Sequence, residues 1–306
     1  MDLKLIRSLV RQVRQWQDEI YLRRVATNCD AFLVSYPKCG RTWLRFLLSN
    51  YFADIAGRDL KPDLTTTFQM LPNFDLDPVR GLPAFALQDQ WPKLPLLAVS
   101  HRTYDERLFQ DRPVIFMIRD PRDVMVSAYF HAVRHKQQFN GPIGTFLNVA
   151  NYGLPAFVAY LNGWALGLAH RPHIILSYER LSAETAAAVT ELLMFLNIEV
   201  RPDALDKAIE AARFDQMQAM EQKEGIPGHA YDRSDIQSLR MRSGKIGQYA
   251  EYLSPEEAAL IIRRCQRALV PAARELFIHS GIDLDACHIP GVVQPLRLAG
   301  GIEARG

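Results

Sequence analysis

No run in the 306 residues approaches a membrane span, which needs roughly 18 to 20 apolar residues in succession. The N-terminal residues lack an uninterrupted apolar signal-peptide core, so a cytoplasmic location is expected. Cysteine is scarce: Cys29, Cys39, Cys265 and Cys287 stand apart without CxxC spacing, which argues against zinc and against a disulfide framework. The net charge is only +2, too weak a field to hold an acidic polymer without a local patch, so no nucleic-acid partner is expected. There is no internal repeat and no low-complexity tract. The triphosphate-binding pattern GxxxxGKS or GxxxxGKT is missing, as is any Asp/Glu/His constellation suited to a metal, and no metal is expected.

What remains is ordinary globular composition, 48% hydrophobic and 23% charged, enough for one substantial core. The expected organisation is an amphipathic helix over residues 1–25, a single domain over 26–289 and a weakly ordered tail over 290–306. The N-terminal helix carries Leu3, Ile6, Val10, Val13 and Ile20 on one stripe and Lys4, Arg7, Arg11 and Arg14 elsewhere. That pattern fits docking on the domain or on a second subunit in a homodimer, or peripheral contact with a membrane surface.

The chain is organised around AFLVSYPKCGRTWLRFLLSN, residues 31–50. Ala31 to Ser35 has the character of a buried strand, a Pro-Lys-Cys-Gly-Arg-Thr turn follows, and an apolar-periodic helix starts near Thr42. A helix start offers unpaired N–H groups and partial positive charge. With Lys38 and Arg41 beside it, its natural occupant is phosphate or sulfate.

Further strands are expected at 96–99, 114–118 and 173–177, separated by helical or long connections. This predicts an α/β fold of three layers, with a mostly parallel central sheet flanked by helices. Ligands of such sheets bind beyond the carboxyl ends of the strands. Lys38, His101, Arg119 and Tyr178 all follow strand ends, so four functional side chain types converge on one rim. Each alone has a plainer reading, as a helix-surface charge or a core aromatic; their shared placement carries the inference.

Residues 57–95 are irregular and hold Phe68, Phe74, Phe85 and Trp91 among prolines, reading either as a pocket wall or as a satellite core beneath a long loop. Residues 134–155 read as a surface loop. Residues 221–249, rich in charge and glycine, read as a mobile segment, and an acceptor pocket is expected to be lined from residues 60–95, 130–155 and 221–240. Ser254-Pro255-Glu256-Glu257 is a capping box with proline at the first helical position, so a long helix is expected from there to about residue 268.

Five segments, in order, resemble those of the sulfotransferases that use 3′-phosphoadenosine 5′-phosphosulfate (PAPS). YPKCGRTW, residues 36–43, is similar to their 5′-phosphosulfate loop, usually YPKSGTTW. RDPRDVMVSAYF, residues 119–130, resembles the 3′-phosphate motif, SYERL at 177–181 the Tyr-Glu-Asp-Leu segment, FDQM at 214–217 the Phe-x-x-Met element, and RSGKIGQY at 242–249 the Arg-Lys-Gly-x-x-Gly-Asp-Trp element.

The resemblance implies transfer of a sulfuryl group from PAPS to a hydroxyl, in preference to an amine, of a small-molecule acceptor, with release of adenosine 3′,5′-bisphosphate (PAP). It implies His101 as base and Lys38 as the cation that stabilises the leaving phosphate. Cys39, Gly40, Arg41 and Thr42 would form the phosphate loop. Trp43, Phe214 and Met217 would lie at the adenine with Tyr178, and Arg119, Ser127, Arg242, Ser243 and Gly244 would hold the 3′-phosphate. Aromatics at Phe74, Phe85, Trp91, Phe130, Phe139 and Tyr152 suggest an apolar or aromatic acceptor, whereas His131, Arg134, His135 and Lys136 suit an anionic one.

The chain departs from the family pattern at Val99, where a lysine is usual, at Cys39 in place of serine, and at Ser243, Gln248 and Tyr249. For Cys39 two readings stand, an oxidisable thiol beside a lysine or a small residue contributing backbone alone. A nucleotide-dependent kinase or a catalytically silent nucleotide-binding module are the other classes that an α/β phosphate-loop chain admits.

Overall fold

The computed structural model describes residues 3–57, 61–85 and 95–285. Four strands, β1 (Ala31–Ser35), β2 (Leu97–Ser100), β3 (Val114–Ile118) and β4 (His173–Ser177), form one parallel sheet in the order β2-β1-β3-β4. Register pairs Leu33 with Val99 on one side and with Ile115 on the other. Every residue of β1, β2 and β3 is buried. Successive strand residues point to opposite faces, so unbroken burial means that both faces are covered, and their apolar runs read as continuous for that reason. Val99, where the family pattern has lysine, lies in β2 and is fully enclosed in this core.

From β1 the chain crosses to β2 on one side and then returns past β1 to β3 on the other. The connections therefore diverge at the carboxyl ends of β1 and β3, where a crevice opens. Helix α2 (Arg41–Ile55) leaves the loop after β1 and packs on the sheet and on the helix Pro202–Ala211. After β3, Asp120 caps the helix Pro121–Phe130, accepting the Arg122 N–H at 2.8 Å.

Helix α1 (Leu3–Ala26) docks through buried Leu22 and Ala26 and packs near the turn Glu106–Phe109, while Val13, Trp16 and Tyr21 are exposed. Trp91, Cys287 and the tail after residue 290 lie outside the described residues.

Two segments depart from their sequence reading. Residues 131–135 continue the Pro121–Phe130 helix as a π-helical turn that buries His135, so the expected surface loop begins with ordered structure. Residues 221–249 are packed rather than loose. The fully buried Glu221 carboxylate accepts the Tyr231 hydroxyl and the Arg240 and Met241 N–H groups, each at 2.8 Å. That core is polar, which is why hydrophobic content did not reveal it. The available signal was spacing, because Glu221 stands four residues after buried Met217 on one helix face.

The expected capping box is formed, with Ser254 and Glu257 bonded reciprocally at the start of the helix Pro255–Ala268. Ser254→Ala is expected to lower stability by about 1 kcal/mol, read as a lower urea midpoint at unchanged slope.

Candidate functional site

The crevice at the ends of β1 and β3 opens into a cavity of about 720 Å³. Its floor is the loop after β1. Lys38 and Gly40 both adopt positive φ, 77° and 87°, which turns the chain sharply into α2. At Gly40 a Cβ atom would collide with the Tyr178 ring, so glycine is required on both conformational and steric grounds. Gly40 caps α2 without a side chain, so no side-chain cap covers the helix start, where Gly40, Arg41 and Thr42 line the cavity.

Arg119 ties this loop to its neighbours. Its guanidinium donates to the Lys38 carbonyl at 3.3 Å and to the Lys245 carbonyl at 3.1 Å, lies 3.5 Å from the Asp123 carboxylate, and stacks 4.1 Å from the Tyr178 ring centre. Asp123 in turn accepts the Gly247 and Tyr249 N–H groups, each at 2.9 Å, which fixes the glycine turn. Tyr178 donates to the Gly244 carbonyl at 2.8 Å and meets Trp43 edge to face at 5.7 Å; Trp43 itself is held by the Ala212 carbonyl at 2.9 Å. Glu179 joins the ends of β3 and β4 by accepting the Asp120 N–H at 3.0 Å, and burial raises its pKa to about 7.

His101, directly after β2, faces the same space. Its Nδ1 lies 2.8 Å from the Ser35 carbonyl. A carbonyl can only accept, so Nδ1 carries the proton and Nε2 presents a lone pair. The cavity leaves the ring open to solvent, yet the protein crowded around it and then the Arg41 charge hold its pKa well below the usual value. Burial lowers Lys38 to about 7, helped by the Arg240 charge, and lowers Arg41 to about 9.

The structure brings Lys38, Gly40, Arg41, Thr42, Trp43, His101, Arg119, Ser127, Tyr178, Phe214, Met217, Arg242, Ser243 and Gly244 around one cavity, with Tyr152, among the described residues, the single lining member of the suggested aromatic acceptor set. Cys39 lies beneath the loop, almost fully buried, with its thiol raised to about 12 by burial. A thiol so placed is protonated and enclosed, in keeping with a small structural residue.

The other aromatics are engaged elsewhere. Phe74 packs edge-on against Phe32 at 4.8 Å and reaches only an adjoining recess of about 330 Å³. Phe85 packs against the main core, Phe139 belongs to a satellite core with Phe146, and Phe130 lies under the Arg242 guanidinium at 4.5 Å. Arg242 is also held by Gln248 at 2.7 Å.

Arg45, Arg80, His229 and Arg240 line the cavity as well. Arg80, His229 and Arg240 come from segments expected to line the acceptor pocket but were not singled out as residues, and Arg45 comes from a segment read as ordinary helix. Among the described residues, no group of three or more His, Cys, Asp or Glu side chains is arranged to hold a metal ion.

A family profile described as "Sulfotransferase domain" matches residues 28–272. Cytosolic sulfotransferase 17 of Arabidopsis thaliana is 26% identical over 262 residues, 76% of this chain and 72% of that protein. The 3-alpha-hydroxysteroid sulfotransferase of Cavia porcellus is 24% identical over 257 residues, 81% of this chain and 86% of that protein. Among solved structures, mouse sulfotransferase SULT7A1 complexed with PAP superposes with a TM-score of 0.53 at 20% identity, covering 81% of this chain and 88% of that one. Retinol dehydratase in a complex with retinol and PAP gives 0.57 at 17%, covering 79% and 81%.

With a pKa of about 7, Lys38 is mostly neutral in mildly alkaline solution. An anion bound against it favours the ammonium form and raises that pKa. Titration of inorganic sulfate, which has no proton to release at about pH 8, in buffers of different ionisation enthalpy, is expected to show uptake of most of a proton. Lys38→Met is expected to abolish the uptake.

Proposed function

The chain belongs to the sulfotransferase family, and on that premise we propose that it transfers a sulfuryl group from PAPS to a hydroxyl of a small-molecule acceptor, releasing PAP. The donor, when bound, supplies an activated sulfur on a 5′-phosphosulfate. The observation that carries the reading is the convergence of a side-chain-free helix N-terminus, Lys38 and an Arg119 that retains a buried Nε without a partner on one cavity that His101 also faces.

The residues fit such an anionic donor. Thr42 and the start of α2 suit the 5′-phosphate, and Lys38 suits the oxygen bridging phosphorus and sulfur. Arg119, Ser127 and Arg242 suit the 3′-phosphate, with Trp43, Phe214 and Tyr178 offering faces to the adenine. In the transfer, the acceptor oxygen forms a bond to sulfur while the bond from sulfur to the bridging oxygen breaks, and the electron pair stays on the phosphate. His101 Nε2, the unprotonated nitrogen, takes the hydroxyl proton, and Lys38 stabilises the charge left on the phosphate.

Calorimetric titration with PAP is expected to show affinity at least about tenfold above that for 5′-ADP, about 1.4 kcal/mol. Equal affinities would overturn the assignment of Arg119, Ser127 and Arg242. His101→Ala is expected to abolish transfer of labelled sulfate while keeping PAP binding, whereas Arg119→Ala chiefly weakens PAP binding. Undiminished turnover by His101→Ala would remove the base assignment.

A further inference from the structure

The donor reading leaves much of the positive charge in the cavity unused. Among the described residues, nine lysine and arginine side chains line it and a single carboxylate, Asp75, faces them. Lys38, Arg119 and Arg242 are occupied by the roles proposed above, and Arg213 pairs with Glu210 and Asp215. Arg41, Arg45, Arg80, Lys136 and Arg240 remain.

Two of these are drawn together despite their like charge. Arg80 Nη1 and Arg240 Nη2 lie 2.9 Å and 2.7 Å from His229 Nε2. Guanidinium groups only donate, so Nε2 is unprotonated and His229 is neutral. Its Nδ1–H then faces His135 Nε2 and Lys136 Nζ, each at 3.1 Å, and His135 is oriented by donating from Nδ1 to the Ser238 carbonyl at 2.9 Å. A chain of two neutral histidines thus holds two guanidinium groups at the cavity wall.

Arg80 is partly offset by Asp77 at 2.9 Å. Arg41 and Arg240 form no ion pair among the described residues, and Arg41 Nη1, Arg80 Nε and Arg240 Nε are buried without partners. Arg41 also shares the adjoining recess with His101 and Asp75, and His101, Arg41, Arg80 and Arg240 all line the main cavity. Gathering unpaired cations in a partly desolvated wall is costly unless a bound anion offsets it.

We infer that the acceptor carries an anionic group besides its hydroxyl, a carboxylate or a phosphate or sulfate ester, and that Arg41, Arg80 and Arg240 hold this group while His101 meets the hydroxyl. This rests on the sulfuryl-transfer reading, and it replaces the apolar acceptor that the aromatic residues suggested.

The test is calorimetric, on the full chain saturated with PAP so that the donor phosphate subsites are filled. Phenyl phosphate, phenylacetate and neutral benzyl alcohol are titrated in turn. At least one of the two anions is expected to bind about tenfold or more tightly than benzyl alcohol, the tighter one identifying the bearer of the charge. Arg240→Gln and Arg41→Thr are each expected to weaken that binding about tenfold; threonine is the usual family residue in this loop, so the second variant keeps the backbone geometry. Anions that bind no better than benzyl alcohol, or affinities unmoved in folded variants, overturn the inference. Absence of PAP binding in the preliminary titration overturns the donor reading and, with it, the inference.

Discussion

The Arg119 guanidinium is the contact on which the site depends. It leaves the end of β3, crosses to the Lys38 carbonyl after β1, reaches the Lys245 carbonyl in the glycine turn, and stacks on Tyr178 after β4. Three strand ends and a distant segment are therefore referred to one planar cation. Asp123, four residues on and one helical turn away, completes the arrangement by accepting the backbone of that same turn. Planarity and several fixed donors suit arginine to this, where a lysine would provide a single mobile charge.

Around that anchor the protein keeps charge of one sign close together and neutralises little of it internally. The histidines respond by staying neutral: burial and the neighbouring arginines lower His135 to about 4 and His229 to about 3, and His101 is lowered by the same causes. Neutral imidazoles can accept as well as donate, which is what lets His229 receive two guanidinium groups and His101 present a free Nε2. The same field that favours an anionic ligand thus also keeps His101 neutral.

The fold was largely legible because its signals were local. β1, β3 and β4 fall where continuous apolar runs end in turn residues, and the Ser254 capping box starts its helix as the spacing implied. The residues at strand ends were legible for the same reason, since a parallel sheet places all its carboxyl ends on one rim. Less legible were residues whose role depends on what packs beside them. Phe74 and Phe139 read as pocket aromatics, but they fill cores, because an aromatic in an irregular segment has the same sequence signature whether it faces a ligand or other side chains. Glu221 carries no sign in its own identity that it is buried.

The sequence by itself determined the parallel α/β sheet, the sharp turn into α2, and the placing of Lys38, His101, Arg119 and Tyr178 on one edge, since strand periodicity, turn chemistry and capping act over a few residues. Only the tertiary structure decided that residues 221–249 are packed around a buried Glu221, that Arg240 and Arg80 meet on His229, and that positive charge prevails along the cavity wall. Those outcomes depend on contacts between residues far apart in sequence, such as Arg80 and His229, whose strength is set by burial and by neighbouring charge, quantities that exist only once the chain has folded.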